Sequence, residues 1–355
     1  MIATGFAQGT EPHADLAHQA VAAALKNAGT EIANSVLLFL TPHFSQDSLS
    51  SVRAAARTAN CTQVVGCIAA EIFTEQTSAL HQPAAAAMVF GGGVSLQHHA
   101  ETPLSNLRLF LATPEAMGAA PLDQDIQRFG GVAETGKNAM WCNSREAVSG
   151  NCEVELQGVV GNVGVSHGIK RLTAPLPVTA TQGHDVVFVA GKPALQTLQQ
   201  AWIYESELPL HRIIAFILGE DDEHGHYEMA ALVAINEQER TVTLSQKLEP
   251  GQSLCWAVRE PDQSPQYCAE MVLNLGVKML QQPDFGLMFS SLGRSPHFDG
   301  GIDYTLEITR QRFPQMPLIG FYGNGEIAPV KGKNQLLQLS AVLGLFSQVG
   351  KAADV

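Results

Sequence analysis

The feature that most limits the fold of this chain is a set of short, unbroken apolar runs, each cut off by glycine or by polar residues. SVLLFLT (35–41), QVVGCIAAEI (63–72), DFGLMFSS (284–291) and MPLIGFYGNGEI (316–327) all have this character. Runs of about 4 to 8 apolar residues without alternation are expected of strands buried on both faces. None approaches the ~18 apolar residues of a membrane-spanning helix. Between the runs lie stretches of helical period. Residues 12–28 place Leu16, Ala20, Val21, Ala24 and Leu25 on one face and stop at Gly29. Residues 45–59, 264–282 and 302–313 are read as helices in the same way. Helix, strand, helix, strand at the start predicts a βα-type layered domain.

The texture then changes. AAAAMVFGGGVSLQHHA (84–100) reads as two strands joined by a Gly-rich turn, LRLFLAT (107–113) as a third, and 130–190 is glycine-punctuated and strand-like. GKPALQTLQQAWIY (191–204) opens a helix, and HRIIAFILG, HYEMAALVAIN and RTVTLSQKL restart the strand pattern. The fold class expected is α/β in the broad α+β sense: two related domains with mixed, largely antiparallel sheets covered by helices, a layered αββα sandwich being one such arrangement. QVVGCIAAEI and PLIGFYGNGEI share an apolar strand, a glycine, a short link and Glu-Ile, which suggests an internal duplication or a coincidence of short motifs.

Lys and Arg total 21 against 34 Asp and Glu, a net charge of −13 with no basic block. Such a chain repels phosphate backbones and anionic lipid, so neither nucleic acid nor membrane insertion is expected. Six cysteines without a CxxC pair read as reduced thiols, and the N-terminus has no secretory pattern, which together predict a cytoplasmic protein.

Gly320, Gly323 and Gly325 followed by Glu326 resemble a phosphate cradle only superficially. The Lys-Ser/Thr of a P-loop is missing and the spacing is not GxGxxG. Strand-end glycines either leave room for a ligand beside the main chain or form a turn with Glu326 solvated or ion-paired. HExxH and paired catalytic carboxylates are missing too, so no enzyme is expected. His224 and His226 could approach a metal but read better as a polar hairpin tip.

In order and spacing these segments resemble the FIST family: LLFLT and VVGCIAAEI in the first half, LPVTATQGHDVVFVAGKPAL (176–195) at the junction, then EPGQ, MFSSLGR and GFYGNGEIAPV. The resemblance implies an N-terminal region, 1–190, and a C-terminal region, 191–355. It also implies a sensory protein that binds a small molecule and signals through a protein partner. It places the 291–294 and 320–326 loops in one sheet, so that Ser291, Gly293 and Arg294 join Gly320, Gly323, Asn324, Gly325 and Glu326 as the expected ligand site. The Arg294 fork would suit a carboxylate, with Asn324 and Glu326 suited to an ammonium or amide, as in an amino acid. Arg294 paired with Glu326 or Asp299 is the structural alternative. On the duplication reading Cys67 and Glu71 hold the equivalent loop. Ser291 stands where the family often has Cys. Some FIST proteins resemble haem-binding nitric oxide sensors, which would make haem a cofactor and His184, His211 or His297 an axial ligand.

Overall fold

A computed structural model describes residues 1–79, 81–98, 107–119, 122, 126–167, 169–203, 207–218, 227–259, 264–279, 281–296, 302–330 and 332–350. By contacts the chain divides into two compact units, 1–167 with 265–355, and 168–264. They follow different lines from the regions 1–190 and 191–355 named above, because the smaller unit is an insertion within the larger.

The larger unit repeats one plan three times along the chain. The first copy comprises β1 (Ile2–Gln8), α1 (Asp15–Ala28), β2 (Ser35–Leu40), α2 (Ser48–Ala59), β3 (Val64–Ile68), the hairpin β4 (Glu71–Thr74) and β5 (Ser78–Ala79), and β6 (Ala84–Phe90). The second comprises β7 (Ser95–Gln97), β8 (Leu107–Ala112), β9 (Gln127–Val132), the hairpin β10 (Met140–Cys142) and β11 (Arg145–Glu146), and β12 (Asn151–Gln157). The third opens with β13 (Val159–His167). After the insertion, which contains β14 (Ile169–Arg171), β15 (Leu176–Gln182), β16 (Asp185–Val189), β17 (Lys192–Pro193), α3 (Ala194–Ala201), β18 (Ile213–Leu218), β19 (Tyr227–Asn236), β20 (Thr241–Leu244) and β21 (Ser253–Arg259), it resumes. It then runs through α4 (Ser264–Lys278), β22 (Phe285–Ser291), α5 (Tyr304–Arg312), β23 (Leu318–Gly323), the hairpin β24 (Glu326–Val330) and β25 (Lys333–Leu337), and β26 (Ser340–Gln348).

Among the described residues these strands form three six-stranded sheets, ordered β1-β6-β2-β3-β10-β11, β7-β12-β8-β9-β24-β25 and β13-β26-β22-β23-β4-β5. Each has one parallel pair at its centre, β2–β3, β8–β9 or β22–β23, and antiparallel neighbours on both sides. The hairpin that follows each parallel pair leaves its own sheet and completes another: β4–β5 joins β23, β10–β11 joins β3, and β24–β25 joins β9. The recurrence seen between 63–72 and 317–327 therefore extends to a third copy, RFGGVA (128–133).

Register explains the recurring glycine. Gly66 faces Leu38, Gly130 faces Phe110 and Gly320 faces Met288 across the three parallel pairs. A Cβ at these positions would lie 1.8, 1.9 and 1.9 Å from the opposite carbonyl oxygen. Only glycine lets the strands close so tightly.

Inner faces of all three sheets supply the main apolar core. Phe39, Phe289 and Phe321 meet edge-on with centroids 5.0 to 6.4 Å apart, and Phe129 reaches Phe289 at 6.2 Å. The outer face of the first sheet packs under α1 and α2, and that of the third under α4 and α5. The hairpin expected within 84–100 does not form. β6 is a buried run of small residues held between β1 and β2, so it has no free edge, and β7 pairs with β12 instead.

The smaller unit is antiparallel throughout. β21, β15, β16, β20, β19 and β18 pair in turn, and β18 pairs back to β21, closing a barrel filled by Trp256, Val178, Val242, Ile217 and their neighbours. The indole N–H of Trp256 donates to Thr197 Oγ1 at 2.9 Å, which ties α3 to this core.

Candidate functional site

All ten residues expected to form the site belong to the larger unit. Eight of them lie near the end of the β22–β23 pair, whereas Gly320 sits mid-ladder opposite Met288 and Cys67 lies within β3. Parallel strands released at their carboxyl ends into loops are a common place for a ligand. Here the chain turns from β22 into a 3₁₀ turn, Leu292–Arg294, with Ser291 at its start. From β23 it passes through Gly323, Asn324 and Gly325 into β24.

The glycines of this loop serve packing. A Cβ on Gly320 would meet the Met288 carbonyl, and one on Gly323 would lie 2.2 Å from the Val132 carbonyl. The space beside them is thus filled by protein main chain. Asn324 is exposed, and its backbone and side-chain N–H groups donate to Val132 O and Ala133 O, both at 2.9 Å, stitching the loop to the end of β9.

Arg294 and Glu326 are buried, 6% and 0% exposed, and they do not clasp each other. The ion pairs within 4.0 Å among the described residues are Arg108–Glu153 and Arg128–Glu153. Arg294 donates to Ser166 O at 3.2 Å and to Cys268 Sγ and Thr305 Oγ1 at 3.4 Å, spanning β13, α4 and α5. Glu326 Oε2 accepts the Ser340 N–H at 3.3 Å, while Oε1 has no hydrogen-bond partner. Burial pushes the Glu326 carboxyl well above its ordinary range against weaker pulls from that N–H and from the Arg294 charge. Burial thus favours the protonated form, which carries an O–H to donate. Ser290 Oγ and Ser295 Oγ, also buried, have no hydrogen-bond partner either.

A second polar chain borders the first. Asp303 caps α5, accepting the Leu306 N–H at 3.0 Å, and also accepts the Tyr322 hydroxyl. Burial raises the Asp303 carboxyl despite both bonds, and raises the Tyr322 phenol, which the Asp303 charge lifts further. Tyr322 sits opposite Glu71 of β4 in the ladder. Sequence reasoning missed Asp303, Tyr322, Cys268 and Thr305. Asp303 carried a readable signal, an acid just ahead of a helical stretch. Tyr322 lay inside the quoted loop, hidden by attention to its glycines.

Cys67 and Glu71 do not occupy the loop equivalent to 323–326. Cys67 lies within β3 at the register position of Phe321, fully buried, its thiol raised by burial. Glu71 faces Tyr322, whereas Glu326 faces Gly131, the counterpart of Phe321. The two Glu-Ile pairs are therefore one residue out of step, and a one-residue shift reverses the face of every side chain. Glu71 lines the helix-covered side of the third sheet and Glu326 the inner side of the second.

Burial raises the Glu71 carboxyl from 4.5 to about 6, with the His81 charge opposing. The fold thus holds this proton more tightly than the unfolded chain does. The stability linked to it is complete below about pH 4.5 and lost as pH rises through about 6. Glu71→Gln removes the titration. Relative to the parent, the variant should gain about 2 kcal/mol between pH 4 and pH 8 in urea unfolding; a gap that is flat across this range would contradict the assignment.

Of the histidines, His184 is exposed and bonded through Nδ1 to Leu244 O at 3.0 Å, and His211 is exposed. His224, His226, His297 and Asp299 lie outside the described residues. No group of three or more His, Cys, Asp or Glu able to hold a metal occurs among the described residues. No described helix is long and apolar enough to cross a membrane.

Residues 194–329 match the FIST C domain model, from the first residue of α3 into β24. The chain carries a FIST C domain. FIST domains are sensory domains of signal transduction, and this match takes in Ser291, Arg294 and the whole 320–326 loop. An uncharacterized protein of Mycobacterium tuberculosis is 24% identical over 358 residues, covering 90% of this chain and 92% of its own. An uncharacterized protein of Mycobacterium bovis is 25% identical over 211 residues, 56% of this chain and 53% of its own.

Proposed function

We propose that this FIST protein is a sensor for a small polar metabolite of amino-acid type, bound at the ends of β22 and β23, and that it passes its state to a protein partner. The observation carrying the reading is the fully buried Glu326 carboxyl with one oxygen unmatched, in the same interior as the Arg294 guanidinium. An unmatched buried polar atom costs about 1 to 3 kcal/mol, and a guest that supplies the missing bond recovers it. Ser290 and Ser295 add two hydroxyls in the same condition. The guanidinium suits the guest's carboxylate, and the Glu326 carboxyl its polar end. Binding then shifts a balance between two conformations by its differential affinity for them, and the partner reads the result.

The test is thermal unfolding of the full chain with each proteinogenic amino acid in turn. One class should raise Tm by about 2–4 °C at a hundredfold excess over Kd. The shift should vanish in Arg294→Gln and Glu326→Gln, each checked for fold by circular dichroism. Equal shifts in parent and variants would place the site elsewhere, and no shift with any amino acid would remove this ligand class.

A further inference from the structure

The threefold plan of the larger unit repeats one polar position at the end of each parallel pair. Gly66, Gly130 and Gly320 face Leu38, Phe110 and Met288, and three residues beyond each of these partners stands a hydroxyl: Thr41, Thr113 and Ser291. Each opens into a 3₁₀ turn, Pro42–Phe44, Pro114–Ala119 or Leu292–Arg294. Thr113, at the end of the β8–β9 pair, is therefore the counterpart of Ser291.

The first two hydroxyls differ in what they meet. Thr41 Oγ1 accepts the Ala84 N–H at 3.0 Å and so serves the first sheet. Thr113 is only 5% exposed, yet among the described residues nothing bonds to its hydroxyl. It lines a cavity of 640 Å³. Gly150 keeps the oxygen clear, because a Cβ there would stand 2.8 Å from it. A buried hydroxyl of this kind is unfavourable until a guest supplies its bond.

The walls are preformed. The Thr113 N–H donates to Gly150 O at 2.7 Å, the Gly150 N–H to Ala147 O at 2.9 Å and the Ala147 N–H to Met140 O at 3.0 Å, while Ser48 Oγ donates to Asn138 O at 2.6 Å. The buried floor of Ala116, Ala139 and Met140 is apolar. The rim carries both signs of charge, Lys137 against Glu115 and Glu146, all exposed, and none of the three pairs with another within 4.0 Å.

We propose that this cavity is a second binding site, for a short zwitterionic peptide.

Lys137 takes the peptide carboxylate, Glu115 or Glu146 its ammonium, Thr113 a main-chain amide, and the apolar floor a side chain. A purely anionic guest would meet two carboxylates, and a purely cationic one the Lys137 charge. The volume lies within the ~300 to 1,000 Å³ of small-ligand sites and exceeds what a free amino acid fills. The cavity shares no residue with the site at β22 and β23, so either can bind without the other.

The test titrates the full chain with Ala-X-Ala tripeptides, X being each apolar residue in turn, by isothermal calorimetry. At least one should bind, and acetylating its amine or amidating its carboxylate should weaken it about tenfold. Lys137→Ala and Thr113→Val should each weaken it about fivefold to tenfold, whereas Thr113→Ser, which keeps the hydroxyl, and Arg294→Gln should bind as the parent does. Failure of every tripeptide to bind, equal affinity in parent and Lys137→Ala, or loss of binding in Arg294→Gln in place of Lys137→Ala would overturn the proposal.

Discussion

Alanine at Gly66, Gly130 or Gly320 should each cost about 4 kcal/mol or more, enough to leave much of the protein unfolded. In each case the new methyl would stand less than 2 Å from the carbonyl carbon's oxygen on the neighbouring parallel strand. No rotamer can relieve this, because both colliding groups are bound to backbone, so the central ladder of a sheet must part. Overpacked cores usually lose about 1 to 3 kcal/mol; a main-chain collision at the middle of a sheet lies beyond that range. Gly93, exposed and with nothing within 4 Å of its Cβ position, is the control and should stay within about 0.5 kcal/mol. Urea unfolding of the four variants measures this. A cost below about 1 kcal/mol at any of the three core glycines would contradict the tight register described here.

These glycines also mark the boundary of what was legible in the sequence. The strands β2, β3, β22 and β23 could be read because each is buried on both faces and so becomes an unbroken apolar run. Helices α1, α2 and α4 could be read because one face of each is apolar at helical spacing. What could not be read was who pairs with whom. The hairpin from one copy completes another copy's sheet, so the partner of Tyr322 is Glu71, about 250 residues away, and no local pattern encodes that. The same exchange hid the register: Glu71-Ile72 and Glu326-Ile327 look alike as text and point to opposite faces. The third copy was present in the text as RFGGVA, but its two glycines and arginine interrupt the apolar run that marks the other two. Arg128, a buried cation of this copy, bonds both to Ile126 O two residues before it and to the Glu153 carboxylate on another strand.

Glu153→Ala should cost about 3 kcal/mol. Glu153 is shared by two arginines, at 2.7 Å from Arg108 Nη1 and 3.1 Å from Arg128 Nε. Arg128 is 2% exposed at its side chain and cannot turn to water when its carboxylate is removed, although Ile126 O at 3.2 Å keeps one of its donors engaged. Removing a carboxylate from a buried cation usually costs about 3 to 5 kcal/mol, and the 17% exposure of Glu153 together with the remaining bonds of Arg128 sets the lower end. Arg108→Ala, at the more exposed end, should cost about 1 kcal/mol or less. Burial alone would raise the Glu153 carboxyl; hydrogen bonds and charge from Arg108 and Arg128 overcome it and hold it below the ordinary range. The linked stability is therefore present above the unfolded carboxylate pKa and lost as pH falls through the lower folded value. Glu153→Ala and parent should converge in acid. A penalty that stays constant down to pH 3, or one under about 1 kcal/mol at pH 7, would show that the pair carries little.

The cyclic exchange of hairpins has a bearing on how the protein is made. As the chain leaves the ribosome, the first sheet lacks an edge until β10–β11 emerges, the second waits for β24–β25, and the third cannot close before β26, whose last residue is Gln348. Most of the main core can thus assemble only after β26 has emerged, and until then open β edges need protection from other nascent chains. The inserted barrel, whose strands all lie within 168–264, is free of that wait and can set first.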